Sequence, residues 1–523
     1  MSGYLVGLDV GHTLIKAAIF DVRGRAFGAG TRPVDVSRPH PHWQERDLLA
    51  TWHAVAAAIR DAVADAGLPA SAIQAVGLAG HGDGMYLVDA QRRPVRAGIL
   101  ATDSRAAGYR ADWQTPPVAG RLLALTGQLP EPYAPACLLS WLRDHEPDSL
   151  ERTAYLLFCK DWIRLRLTGV VATDPTDAAA GLCDVRARQW SLEALASYGL
   201  AEFRGLLPEI QPSKDVIGAV TPEAAEQTGL APGTPVITGC HDVHSAALGI
   251  GALADGALSS VLGTFNINQI ATTTPRTSRA WQTRCSIVDD LYLSMATSPG
   301  GAAAVDWVRG ITGLTQEPVS TVVGRALATP IGSDDPMFLP FVHGSRLTPA
   351  VGGAFLGLGG WHGPDDLVRA ALEGVAYEHR LQLTALAPLD QARAGRIRLT
   401  GGGSRSTEWS QLLADMTGLR VEVTDTHEAG ARGAAMLAGV GIGLLEDPLD
   451  AARRWVQVIR VHVPRAARAG LYDDRFVRWR TAIEALQVGA ESGTKRAAPG
   501  RYPASLTPGR SDKDGVVSVS NRE

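Results

Sequence analysis

Four short stretches place carboxylates or hydroxyls beside glycine where a predicted strand gives way to a turn, and each could handle a phosphate. In Asp9-Val10-Gly11-His12-Thr13 a carboxylate and a hydroxyl flank a glycine, and Lys16 follows within the next turn's reach. Backbone amides around Gly11 can approach phosphate oxygens, Asp9 can hold Mg²⁺ directly or through water, and Thr13 with Lys16 can add contacts. On its own the motif is equally an ordinary hairpin turn. Gly263-Thr264-Phe265-Asn266 repeats the glycine-plus-hydroxyl pairing, and alone it could be a tight turn needing positive φ at Gly263. Gly401-Gly402-Gly403-Ser404 could lie flat against a base or sugar because no Cβ intervenes.

The fourth stretch, GCHDVHSAALG from Gly239 to Gly249, sets Asp242 between the apolar run TPVIT and a small-residue helix. A carboxylate there can take the proton of an alcohol as its oxygen attacks phosphorus, which is what phosphoryl transfer asks of a base. The competing reading is that Asp242 caps the helix. His241 and His244 stand at i,i+3 spacing, as a metal pair would, but no third ligand lies at a recognisable spacing.

These residues need rigid strand ends to hold them. Tyr4–Asp21 reads as a β-hairpin, and Leu48, Trp52, Val55, Ile59 and Val63 then recur at helical spacing until Gly67. IQAVGLAG from Ile73 is apolar enough for a buried strand, and it empties into the turn Gly80-His81-Gly82-Asp83-Gly84. From Ala257 the order strand, Gly-Thr turn, strand recurs, and RIRLTGGGSRSTEW from Arg396 is again strand, glycine loop, helix. Helices are predicted over Pro364–Leu386 and Ala429–Val440. The expectation is two similar α/β domains meeting near residues 245–255, divided as 1–248 and 249–488. Residues 489–523 are polar, rich in Pro, Gly and Ser and without periodicity, the pattern of a disordered tail.

With 523 residues, of which 45% are hydrophobic, the chain can build more than one core. Its 50 Lys+Arg against 54 Asp+Glu give a net charge of −4, so nucleic acid and anionic membranes are not expected partners. The five cysteines are odd in number and never form a C-x-x-C pair, which suggests neither a disulfide framework nor structural zinc. Asp9 interrupts the N-terminal apolar run and no later stretch is long and apolar enough to span a bilayer, so a cytoplasmic protein is expected.

Taken in order, the motifs resemble the FGGY carbohydrate kinases, members of the actin-like, ribonuclease-H-like ATPase fold. They are GLDVGHTLIKAAIFD, GLAGHGDGMYLVD with ILATDSRA, CKDWIRLRLTGVVATDPTDAA, GCHDVHSAALG, VLGTFNINQ, FLPFVHGSRLTP, LTGGGSRSTEWSQLLADMTG and EAGARGAAMLA, from about Tyr4 to about Leu486. The resemblance implies a first domain that binds sugar or polyol, a second that binds most of the ATP, and a cleft that closes over both. It implies Asp242 as catalytic base and substrate contact, and Asp9 as the carboxylate organising Mg²⁺ and phosphates. Gly11, Thr13 and Lys16 match the first phosphate hairpin, Gly263 and Thr264 the second, and Gly300, Gly301, Gly401, Gly402 and Gly403 the loops near ATP. Gly82, Asp83, Asp103 and Arg105 match sugar-contacting positions, joined by Trp43 and Glu45 in HPHWQERD. A homodimer is the family-level expectation.

The chain departs from the family pattern in two places. His12 stands where a Thr commonly follows the hairpin glycine, and His81-Gly82-Asp83-Gly84 replaces the Gln-Met-His-Gly of many xylulose kinases. GHGDGMYLV and CKDWIRLRLTGVVATDP resemble erythritol-type tetritol kinases, whereas DVHSAAL and HPHWQERDLLATW resemble L-xylulose kinases. The expected reaction is transfer of the ATP γ-phosphoryl group to a terminal hydroxyl of a small polyol or ketose. The alternatives are a catalytically weak sugar sensor on the same fold, a chaperone-like ATPase and an N-acetylsugar kinase. Chaperones of this fold lack the FLPF-x-x-G-x-R segment and the aspartate after GCH that this chain carries, and the Cys/His zinc cluster of the N-acetylsugar kinases is absent from it.

Overall fold

The computed structural model describes residues 3–329, 331–332, 334–345, 348, 351–386, 395–426 and 428–494. Arg346, Leu347 and Pro349 of the FLPFVHGSRLTP motif lie outside them, as does the end of the chain from residue 495. The last helix, Ala466–Thr494, runs into the segment expected to be a tail from residue 489.

Two seven-stranded sheets organise the chain. The first begins with the expected hairpin, Tyr4–Val10 against Leu14–Asp21, and Ala26–Pro33 extends it antiparallel. On the other side Ile73–Gly80 pairs parallel with Tyr4–Val10, and Pro235–Ile237 and Cys240–His241 pair parallel with Ile73–Gly80. In the second sheet Leu258–Leu262 and Asn266–Thr272 form the hairpin, which Tyr292–Ser298 extends. Arg396–Thr400 then pairs parallel with Leu258–Leu262, and Arg420–Thr424 pairs parallel with Arg396–Thr400. Each sheet therefore has a hairpin whose first strand pairs parallel with a distant strand, the repetition that the motif order predicted. Parallel strands of this kind are covered on both faces and present ligand loops at their carboxyl ends.

Local sequence explains the elements. The helix Leu48–Ala66 starts where the Asp47 side chain accepts from the Ala50 N–H at 2.6 Å, and it ends at Gly67 with φ of 63°. Its Leu48, Trp52, Val55 and Ile59 lie in the first core, among Val6, Leu8, Val76 and Leu78. The helices Pro364–Leu386 and Ala429–Gly441 form at the predicted residues.

The two halves meet through small residues. The helix Ala429–Gly441 follows the second sheet in sequence but packs on the first, where a Cβ on Gly7 would fall 1.8 Å from the Ala431 carbonyl oxygen. The helix Asp242–Gly249 crosses it equally closely, and a Cβ on Gly433 would fall 1.9 Å from the Ser245 oxygen. Glycine at these contacts is what lets the two backbones touch. Among the described residues no helix is long and apolar enough to cross a membrane.

Candidate active site

Strand register brings the first group of residues together. Asp9 and Cys240 both pair with Ala79, on opposite sides of the Ile73–Gly80 strand. The three strand ends therefore deliver Asp9, the His81–Gly84 turn and Asp242 to neighbouring places. Asp242 is the first residue of its helix; the cap position belongs to His241, and no side chain caps it. The capping reading of Asp242 is thus not what the structure shows. Its Oδ1 is buried with no hydrogen-bond partner and lies 3.2 Å from His241 Nε2. Burial first, then the charges of Asp9 and Asp177, push the Asp242 carboxyl well above the usual carboxylate range.

Asp9 opens into a cavity of about 250 Å³ that it shares with Lys16, Gly401, Gly402, Thr426, Glu428 and Gly430. Lys16 reaches Glu428 at 2.9 Å, a pair formed between the two halves. Burial raises Asp9 to about 6; Lys16 opposes this and Glu428 adds to it. A Cβ on Gly430 would sit 2.2 Å from Asp9 Oδ2, so the helix Ala429–Gly441 approaches this carboxylate through a bare backbone.

The remaining glycines stack behind and around that cavity. Gly401, with φ of 92°, places a Cβ position 2.6 Å from the Leu262 carbonyl oxygen, whereas a Cβ on Gly402 would meet nothing within 4 Å. Gly403 packs on the Leu262 side chain, and Gly301 lies against the carbonyl oxygens of Gly263 and Thr264. The Ala302 N–H donates to Gly263 O at 2.7 Å, joining two of the expected loops. Gly300 rests against Pro340 O and the carboxylate of Glu378, a buried side chain raised by burial to about 7.

A second cavity, of about 580 Å³, runs between the halves and is lined by Asp103, Gln44, Tyr133, Thr264, Phe265 and Thr297, among others. Asp103 is the visible end of a buried network. It accepts from Gln44 N at 2.7 Å and from Arg105 Nη2 at 2.8 Å, and Arg105 also pairs with Glu45 at 2.8 Å. The Arg105 guanidinium lies 3.9 Å from the Trp43 ring centre. Of this expected set, Asp103 faces the cavity, and Arg105, Glu45 and Trp43 stand behind it.

Deeper, a Cβ on Gly82 would strike the His241 ring, and Asp83, with φ of 54°, receives Arg284 Nη2 at 2.6 Å. Gly11 and Thr13 line neither cavity. Their turn is held instead by the buried Arg46, which donates to Gly11 O at 3.1 Å and His12 O at 2.7 Å. His12 stacks on His81 at 4.2 Å and is held at about 3 by burial and Arg46, so both rings are neutral.

Three participants were not singled out from sequence. Glu428 and the Lys160, Asp161, Asp174 and Asp177 cluster lie inside motifs that could have disclosed them, EAGARGAAMLA and CKDWIRLRLTGVVATDPTDAA. Arg284, in an edge strand with no motif around it, offered no signal. Among the described residues no group of three metal-ligating side chains exists, and His241 and His244 lie 5.5 Å apart between ring centres. The Asp9 setting nevertheless suits Mg²⁺, which binds through one or two carboxylates and substrate phosphates while keeping several waters.

The arrangement has counterparts among known proteins. Residues 4–249 match the model of the FGGY family of carbohydrate kinases, N-terminal domain, and residues 258–442 match that of its C-terminal domain. The chain is 30% identical over 491 residues to the L-xylulose/3-keto-L-gulonate kinase of Escherichia coli K12, covering 93% of this chain and 98% of that protein. It is 29% identical over 509 residues to the erythritol kinase of Brucella abortus, covering 92% and 96%. The crystal structure of a xylulose kinase from Rhodospirillum rubrum superposes with a TM-score of 0.83 at 25% identity, covering 93% of this chain and 100% of that one.

Proposed function

This chain belongs to the FGGY family of carbohydrate kinases, and from that premise we propose that it transfers the ATP γ-phosphoryl group to a terminal hydroxyl of a small ketose or polyol, a pentulose of the xylulose kind or a tetritol of the erythritol kind. In this reading residues 1–248 hold the sugar and residues 249–488 hold most of the ATP. The observation that carries it is the Asp242 carboxylate, whose Oδ1 is buried without a hydrogen-bond partner, with His241 Nε2 at 3.2 Å, and whose charge is disfavoured first by burial and then by Asp9. An orphaned buried acceptor costs free energy unless a ligand supplies the donor, and a substrate hydroxyl does so.

The substrate hydroxyl docks against Asp242, which accepts its proton as the oxygen attacks phosphorus in line. Asp103 and Asp83 accept from other hydroxyls of the substrate. Gly401 and Gly402 let the nucleotide lie on bare backbone, and the Gly263–Thr264 turn and Lys16 face the phosphates across the cleft. Asp9 would hold Mg²⁺, which would supply charge neutralisation to the phosphates when bound. Closure of the halves excludes water and so limits idle hydrolysis of ATP.

The test is ADP release with Mg-ATP over a panel of erythritol, the threitols, the erythruloses, the xyluloses, the ribuloses and glycerol, with Asp242→Asn as the blank. Saturable turnover on one tetritol or one pentulose is the expected result. Silence across the panel, with a sugar still raising the melting temperature, would favour a sensor instead.

A further inference from the structure

Arg284 belongs to the nucleotide half, yet its guanidinium ends among residues of the substrate half. It sits in the edge strand Gln282–Cys285, its side chain is fully buried, and Nη2 donates to Asp83 Oδ2 at 2.6 Å. Nη1 lies 3.3 Å from His241 Nδ1. Arginine is a donor only, so the His241 Nδ1 that faces it must be an acceptor, and the ring proton sits on Nε2. That nitrogen is 3.2 Å from Asp242 Oδ1. A line of contacts therefore runs from Asp83 through Arg284 and His241 to Asp242, and three of its four members lie within residues 83–242 while Arg284 crosses from the other half.

Two further observations bear on what this line does. Asp83 Oδ1 and Arg284 Nε are both buried without a hydrogen-bond partner in the protein. The Arg284 charge is already matched by Asp83, so no uncompensated cation stands among these four residues to attract a carboxylate-bearing substrate.

We propose that Arg284 is a cross-cleft positioning and specificity residue: closure of the halves brings it to Asp83 and His241, which orients His241 toward Asp242 and makes the pocket select uncharged ketoses or polyols over acidic ones. This rests on the assignment of Asp242 as base. It couples docking of the nucleotide half to the readiness of the base, because opening the cleft withdraws Arg284 from both partners.

The experiment compares wild type with Arg284→Gln, Arg284→Lys and Asp83→Asn on the best neutral substrate and on a carboxylate-bearing analogue such as gluconate. For Arg284→Gln the expected result is a kcat/KM for the neutral substrate roughly 10- to 100-fold lower, with KM for Mg-ATP within about twofold. Arg284→Lys should recover part of the loss, since lysine keeps the charge but cannot serve Asp83 and His241 together. Asp83→Asn leaves Arg284 uncompensated and should raise the acid-to-neutral ratio of kcat/KM by roughly tenfold. Unchanged sugar kinetics in Arg284→Gln, or equal losses for sugar and ATP, would overturn the proposal. Should Arg284→Gln not fold, an unchanged acid-to-neutral ratio in Asp83→Asn would overturn it instead. Wild-type turnover that survives Asp242→Asn would point to failure of the base assignment, which is a separate outcome.

Discussion

The backbone N–H of His241 donates to Thr176 Oγ1 at 2.8 Å, and this bond ties the loop carrying Asp242 to a buried ionic cluster. The Thr176 hydroxyl donates in turn to Asp174 at 2.7 Å. At the centre Lys160 Nζ lies 2.7 Å from Asp161, 2.9 Å from Asp174 and 2.8 Å from Asp177, with all four side chains fully buried. The start of the Lys160 helix also abuts the end of the central strand, where a Cβ on Gly80 would come within 2.9 Å of the Lys160 backbone nitrogen. The cluster thus positions two of the three strand ends that form the site.

Removing the cation should therefore be far worse than removing one carboxylate. Lys160→Met leaves Asp174 and Asp177 without their buried cation, while Asp161 keeps Arg164 at 3.0 Å, and should cost roughly 3–5 kcal/mol in urea unfolding. Asp177 is raised to about 7, by burial first and by Asp174 and Asp161 next, although Lys160 opposes them. Asp177→Asn should accordingly be close to neutral below pH 6. A Lys160→Met protein as stable as wild type would show that the cluster does not position the loop.

Asp242→Asn removes the proton acceptor while keeping the shape and the helix start. Turnover should fall by roughly 10² to 10⁴, the usual worth of a general base, with nucleotide affinity measured by calorimetry nearly unchanged. Near-normal turnover would refute the base assignment.

The parts of the site legible in the sequence were those held on consecutive residues. Asp9 stands near the end of a strand, and Asp242, Gly263 and Gly401 each follow one, that the apolar pattern discloses, so their placement followed from period and turn chemistry. The helix Pro364–Leu386 and the start of Ala429–Gly441 fell at the predicted residues for the same reason. What the sequence hid was tertiary. Arg284 is an arginine in an edge strand whose partner, Asp83, lies two hundred and one positions earlier, and no periodicity carries that information. The layering of Arg105, Glu45 and Trp43 behind Asp103 was hidden likewise, because motif spacing fixes which residues are near a pocket but not which face it.

Asp9 should make the ligand-free protein sensitive to pH. Its carboxyl, raised from 3.8 to about 6 by burial, binds its proton more tightly folded than unfolded. The contribution to stability is then fully present below about pH 4 and is lost as pH rises through about 6. Asp9→Asn should melt with wild type below about pH 4 and above it at pH 8, by roughly 2–4 °C. With Mg-ATP present the order at pH 8 should reverse, since the ligand stabilises only the protein that binds it. A variant less stable than wild type at pH 8 without ligand would contradict the burial penalty assigned to this carboxylate.

Two glycines separate a structural need from a binding one. A side chain at Gly402 meets open space within the cavity that Asp9 shares, whereas one at Gly433 strikes the Ser245 carbonyl oxygen where the two crossing helices touch. Gly402→Leu should leave the melting temperature of the free protein unchanged, because nothing is displaced, yet raise KM for ATP by filling the space the nucleotide requires. Gly433→Ala should do the reverse. It forces the helices apart, costing roughly 1–3 kcal/mol of stability, while the ATP loops themselves keep their shape. Because the same crossing holds Gly430 against Asp9, the separation also disturbs closure, and kcat should fall more than the affinity for ATP alone. Melting curves with and without nucleotide, set beside KM for ATP and kcat in both variants, read these effects apart. A Gly402→Leu protein with normal ATP kinetics would remove the Gly401–Gly403 loop from the nucleotide site, whatever happens at Gly433.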